Sequence, residues 1–195
     1  NEGIQTHTES LKDSLNYFNQ KLQYDVVNPS SDENLKFIKD KLSSYNGLIW
    51  GGSSLNIYNN TLEIKRQIEF MKECQKKVQN ILAICWGMQV AVTAAGGEVK
   101  KADGHHIGIA NEIIINENGL NHPIYEGKDQ KFNSPAFNFD EVKTLPNKAI
   151  CLASNRINKI QSLYFKINNS KVWGLQYHPE ITYEKMISLI KFRKD

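Results

Sequence analysis

A thiolate with a base beside it is a strong nucleophile, and this chain carries the three residue types that covalent catalysis of that kind needs. Cys85 ends an apolar run over 80–84, and Gly87 follows two residues later, inside the approach to a helix-like run over 88–95. That is the layout of a nucleophile set on a sharp strand-to-helix turn. Far downstream, Gly174-Leu175-Gln176-Tyr177-His178-Pro179-Glu180 supplies a histidine and, two residues on, a carboxylate. A cysteine taken alone is most often a small buried hydrophobe. With a His-x-Glu elsewhere in the chain, Cys85 reads as a nucleophile, His178 as its base and Glu180 as the group that orients the imidazole.

Other reactive side chains carry less. His105 and His106 are adjacent, so they point in different directions, and no third ligand is near; no metal site is expected. His7, just after an expected strand, reads as a plain loop residue, with lining of the rim as the alternative, and His122, just before Pro123, as part of a turn. Cys74 falls in a helical pattern and Cys151 in a strand pattern, both as packing. Three cysteines without close spacing argue against a disulfide framework or a zinc cluster and fit a reducing cytoplasm.

Length and composition set the frame for these residues. A chain of 195 residues, 40% hydrophobic and 23% charged, fits one globular domain over 1–195. The net charge of +3 is scattered, and Lys76-Lys77 and Lys100-Lys101 are too short to make a nucleic-acid surface. No apolar run reaches the length of a membrane span, and no signal-peptide pattern is visible. There is no Gly-x-x-x-x-Gly-Lys-[Ser/Thr] or other phosphate loop, so no ATP site and no cofactor are expected.

Helical and strand patterns alternate through the first half. Leu11, Leu15, Phe18 and Leu22 fall at helical spacing, with Thr8 or Ser10 as the cap, and a strand is expected ahead of His7. A short strand over 24–28 ends at Pro29, and Ser30-x-x-Glu33 resembles a capping box before Leu35, Ile38 and Leu42. Strands over 47–50 and 80–84 flank an amphipathic helix over 62–76. After Gly96-Gly97 the chain turns strand-rich, over 112–116, 149–154, 160–167 and 171–176, and a helix over 181–192 closes it. Such alternation predicts a parallel sheet covered on both faces. Gly51-Gly52, Cys85 and His178 all follow expected strands, where open sheets of this kind gather their chemistry.

These motifs resemble the class I glutamine amidotransferases, the Cys-His-Glu triad type. Cys85-Trp86-Gly87-Met88-Gln89 corresponds to Cys-x-Gly-x-Gln, Gly96-Gly97 to the glycine pair after the nucleophile helix, and 174–180 to Gly-x-Gln-[Phe/Tyr]-His-Pro-Glu. Within the family the chain is most similar to the amidotransferase domain of GMP synthase and its stand-alone homologues. The resemblance implies an α/β three-layer sandwich, flavodoxin-like, with a mostly parallel central sheet flanked by helices and a strand-rich C-terminal half. It also implies roles: Cys85 attacks the glutamine side-chain carbonyl, His178 moves the proton, Glu180 supports the imidazolium. Backbone N–H groups of Trp86 and of Gly51 or Gly52 would form the oxyanion hole, and Gly87 and Gln89 would shape the glutamine pocket. The chain departs from the family at 136–142, where Asn138 stands for a histidine and Phe139 for a glycine in a segment that helps hold the substrate. Three outcomes follow. One is a glutaminase that passes ammonia to a separate synthase subunit. The others are a stand-alone hydrolase of larger γ-glutamyl amides and a silent regulatory subunit.

Overall fold

The computed structural model describes residues 6–18, 21–31 and 35–192. A seven-stranded sheet runs in the order β1-β2-β7-β6-β5-β3-β4, where β1 is Leu48–Trp50, β2 Asn80–Ile84, β3 Glu98–Ile115, β4 Lys131–Thr144, β5 Ile150–Ser154, β6 Ser162–Ile167 and β7 Ser170–Leu175. The helices are α1 (His7–Phe18), α2 (Leu35–Lys41), α3 (Leu62–Lys77), α4 (Trp86–Ala94), α5 (Glu117–Leu120) and α6 (Tyr183–Phe192).

The α/β class is as expected, but the sheet is mixed. Among the described residues only β1 with β2 and β2 with β7 pair in parallel; the β7–β6, β6–β5, β5–β3 and β3–β4 pairings are antiparallel. The reason is local. Asn168 at φ 50° turns β6 straight back into β7, and a hairpin needs no crossover helix. The helical crossover between neighbouring strands is β1-α3-β2, and there the strands are parallel.

Each face of the sheet owns a core. On β2, Ile81 and Ala83 enter the cluster beneath α3 and α4, while Leu82 faces the second cluster, the period-two alternation of a strand. α3 buries Ile64, Gln67, Phe70, Met71, Cys74 and Gln75, one stripe at helical spacing. α4 is buried from Trp86 to Val92 without a break, so it is enclosed rather than laid on the surface. The second cluster joins Ile113 and Ile115 of β3, Ala136 of β4, Leu152 of β5 and Leu175 and Tyr177 around β7. No helix among the described residues is long and apolar enough to cross a membrane.

Three expectations fail locally. Residues 24–28 are not a strand: Val26 is exposed, no neighbouring strand pairs with the segment, and Asn28 Oδ1 accepts the Ser30 N–H (3.1 Å) to start a turn. The α1 cap is Thr6, not Thr8 or Ser10, and α1 buries Ser10 while Phe18 stays exposed. The stretch over 131–144, which carries no strand pattern, is a fourteen-residue strand paired with β3. The expected strand ahead of His7 and the Glu33 half of the capping box lie outside the described residues.

Candidate active site

Cys85 closes β2 and opens α4 with φ 54° and ψ −109°, a conformation that L residues rarely adopt. Backbone bonds on three sides impose it. The Cys85 N–H donates to Leu175 O (2.6 Å), the Gln89 N–H to Cys85 O (3.2 Å) and the Gly87 N–H to Gly51 O (3.2 Å). A Cβ on Gly87 would stand 2.2 Å from the Trp50 carbonyl oxygen, so only glycine lets the turn pass so close to β1. Trp86 is buried, and its indole N–H donates to Gln67 Oε1 (2.8 Å), fastening the start of α4 to α3. As the first residue of α4, Trp86 contributes one of the backbone N–H groups that a helix start leaves without an intrahelical acceptor. The thiol itself meets the Phe137 carbonyl (3.7 Å) and receives the Gln176 side-chain N–H (3.6 Å).

His178 follows β7 and is fixed to β4 by its N–H, which donates to Pro135 O (2.8 Å). Its Nδ1 lies 2.7 Å from Glu180 Oε1, so the δ nitrogen carries the proton toward the carboxylate, and the ring also hydrogen-bonds Cys85. Both side chains are almost fully buried. Burial opposes the imidazolium, yet the negative charge at Cys85 and the hydrogen bonds to Cys85 and Glu180 outweigh it, raising the His178 pKa to about 10. Burial likewise opposes the Glu180 carboxylate, and hydrogen bonds from His178 and His7 outweigh it, holding that pKa at about 2.

The structure brings Cys85, His178, Glu180, Gly51, Gly52, Trp86 and Gly87 to one place at the carboxyl ends of β1, β2 and β7. A Cβ on Gly52 would fall 3.0 Å from His178 Cε1 and 3.7 Å from Cys85 Cβ. Gln89 is buried one turn into α4, where its backbone caps the nucleophile turn.

Two neighbours join the site that the sequence pattern does not announce. His7 lines the rim, as the alternative reading had it, but not from a loop: it is the first residue of α1 and bonds Glu180 directly through Nε2. Its available signal is Thr6-x-x-Glu9, a capping box that fixes a helix start at that histidine. Gln176, in sequence only a flank of the histidine motif, reaches the sulfur. His7 Nε2, His178 Nδ1 and a Glu180 oxygen lie within 4.8 Å of one another, the one group of three potential metal ligands among the described residues. Elsewhere, His105 stacks on the exposed Phe139 ring (5.4 Å), while His106 is buried beside Gln161 and Asn155, so the adjacent pair diverges. Burial pushes the Cys74 thiol up to about 12 and raises that of Cys151.

A cysteine on a strained strand-to-helix turn with a His-x-Glu pair behind it, on an α/β fold, makes a triad-type arrangement. The family model for class I glutamine amidotransferase matches residues 4–193, and the chain belongs to that family. It is 32% identical to a γ-glutamyl-L-1-hydroxyisopropylamide hydrolase from a Pseudomonas species over 90% of this chain and 60% of the relative. It is 30% identical to the glutamine-hydrolysing GMP synthase subunit of Methanothermobacter thermautotrophicus over 69% of this chain and 64% of the relative. The chain thus spans less than two thirds of the length of these curated relatives. Among solved structures, a protein of Thermoplasma acidophilum described as a GMP synthase subunit superposes with a TM-score of 0.74 at 19% identity, covering 100% of this chain and 95% of the other. A glutamine amidotransferase of Thermotoga maritima gives the same TM-score and identity over 95% of this chain and 76% of its own. These two likenesses speak to the fold.

Proposed function

We propose that the protein hydrolyses a γ-glutamyl amide through a thioester on Cys85, with glutamine as the simplest substrate and glutamate and ammonia as its products. The observation that carries this reading is the hydrogen-bonded line Cys85–His178–Glu180, with the sulfur on a turn of φ 54°. His178 holds the proton drawn from Cys85, and the Cys85 sulfur forms a C–S bond to the amide carbon. The tetrahedral oxyanion is met by the Trp86 N–H and the Gly51 N–H, since the Gly52 N–H donates to His7 Nδ1 (3.1 Å); one such donor is worth about 3–4 kcal/mol of barrier. Collapse breaks the C–N bond, and His178 returns the proton to the departing amine. Water activated by the same imidazole then opens the thioester. Glu180, holding Nδ1–H, keeps the proton-accepting nitrogen toward the sulfur throughout.

A second reading, stand-alone hydrolysis of N-substituted γ-glutamyl amides, is favoured by the match along 90% of this chain to the γ-glutamyl-L-1-hydroxyisopropylamide hydrolase. Phe137 supports it, since its ring lies 6.3 Å from the His178 ring and offers an apolar wall to an amide substituent. Under the first reading a separate synthase subunit receives the ammonia.

The test is release of glutamate and amine from glutamine and from γ-glutamyl alkylamides, beside Cys85→Ala. Turnover lost in Cys85→Ala supports the mechanism. Preference for alkylamides that is lost in Phe137→Ala supports the second reading. Turnover that survives Cys85→Ala overturns both.

A further inference from the structure

We infer that His7 is a positioning residue that ties the triad carboxylate to the glycine loop facing the nucleophile. This rests on the reading of Cys85, His178 and Glu180 as the reacting set. Three observations carry it. His7 Nε2 and His178 Nδ1 both bond the same oxygen, Glu180 Oε1, so two imidazoles share one carboxylate. On its other side, His7 Nδ1 lies 3.1 Å from the Gly52 nitrogen and accepts that N–H. The acceptor role at Nδ1 leaves the proton on Nε2, where it donates to Glu180, so a single neutral tautomer satisfies both contacts. Third, the loop is shaped for the ring: a Cβ on Gly51 would stand 2.5 Å from His7 Cε1.

The ring is also held from behind. The Thr6 N–H donates to Glu9 Oε2 (2.6 Å) and the Glu9 N–H to Thr6 Oγ1 (3.2 Å), a reciprocal capping box that sets the first turn of α1, and Lys185 Nζ donates to Thr6 O (3.2 Å). His7 crosses His178 edge to face, with centroids 5.5 Å apart, and its two ring nitrogens are both engaged away from the sulfur. It acts on the reaction through its neighbours. By donating to Glu180 it helps keep the carboxylate charged and pointed at His178; by accepting from Gly52 it keeps the loop over Cys85.

The two bonds can be broken separately. In His7→Asn the amide oxygen replaces Nδ1 and keeps an acceptor for Gly52, while the donor to Glu180 is lost. In His7→Gln the amide nitrogen replaces Nε2 and keeps the donor, while the Gly52 acceptor is lost. His7→Ala removes both. The readouts are kcat and KM on the preferred γ-glutamyl amide, melting temperature, and the pH profile of Cys85 alkylation by iodoacetamide, followed on the Cys85 peptide by mass spectrometry.

The expected result is a fall in kcat of roughly 10- to 100-fold for His7→Ala, the range that loss of a supporting contact typically costs, with KM changed less than about threefold. The alkylation profile should move in His7→Asn and His7→Ala and stay in place in His7→Gln. Alkylation needs no turnover, so if no amide proves to be a substrate the profiles still decide the Glu180 arm while the functional reading fails alone. Parent-like kcat and alkylation in all three variants would overturn the role, as would losses that simply follow melting temperature. A rise in turnover in His7→Ala would overturn it too, by showing that His7 withholds the Gly52 N–H.

Discussion

Gly87→Ala sets two physical effects against each other, and the structure says which wins. Gly87 lies in the first turn of α4, and its φ is not in the positive range, so alanine there fits the backbone conformation. Helix propensity alone then favours the substitution by about 1 kcal/mol. Space opposes it. The new methyl would stand 2.2 Å from Trp50 O and 2.9 Å from Trp50 C, both backbone atoms of a strand hydrogen-bonded into the sheet. Reaching ordinary contact needs a displacement of about 1 Å, and overpacking of this kind costs about 1–3 kcal/mol. The same shift stretches the Gly87 N–H···O Gly51 bond and carries Cys85 with it. A misplacement of about 1 Å at a reacting group costs on the order of 100-fold in rate. The expected result is a net loss of up to about 2 kcal/mol in urea unfolding and a fall of about 100-fold in kcat. Gly47→Ala is the control, because its methyl would meet nothing closer than 3.4 Å; it should change stability by less than about 0.5 kcal/mol. A Gly87→Ala protein as stable and as active as the parent would refute the argument that space, not conformation, requires glycine at this turn.

Glu180→Gln should change the acid stability profile. A carboxyl held at about 2 instead of 4.5 contributes about 3 kcal/mol, present above pH 4.5 and lost as the pH falls toward 2. Urea titrations should therefore show the parent's advantage over Glu180→Gln shrinking by roughly 1 kcal/mol between about pH 7 and pH 3.5, and a pH-independent difference would refute it. Gln67→Leu strips the buried Trp86 indole N–H of its acceptor and should cost about 1–3 kcal/mol in the same assay, with no loss if the ring finds another partner.

The candidate site is legible in the sequence because its three motifs are local: an apolar run into Cys85, a glycine two residues on, and His178 and Glu180 in one short segment. β2 is legible in full, since five largely apolar residues between turn signals leave little else to be. β4 is not. Asn133, Pro135, Asn138 and Asp140 all disfavour strands, and only the long pairing with β3 overrides them. A loop in that place would conceal what the strand does as a wall of the site, through Pro135 O on His178 and Phe137 O on Cys85. His7 is hidden for a different reason. Its role depends on a contact 173 residues away, and no spacing rule reports that. The mixed sheet escapes as well, because the alternation of the first half says nothing about hairpins in the second.

The electrostatics of the triad make its members depend on one another, and this can be tested without substrate. For both His178 and Glu180 burial is the largest single influence, and it acts against charge, yet each shifts the other way because its partners outweigh burial together. Removing one partner should therefore reverse the balance. In Cys85→Ala the charge that raises His178 most, and its hydrogen bond, are both gone, leaving Glu180 alone to oppose desolvation. The His178 pKa should drop well below about 10, and a folded-state proton that the parent keeps through neutral pH should be lost in the accessible range. Nitrogen-15 NMR of the imidazole reads this directly: the parent signal should stay in the imidazolium region at about pH 8, and the Cys85→Ala signal should titrate at lower pH. A His178 signal that titrates alike in both proteins would mean that Cys85 and His178 do not share charge. The same dependence predicts that Cys85→Ala and Glu180→Gln combined cost less than the sum of their separate effects, since each removes what makes the other valuable.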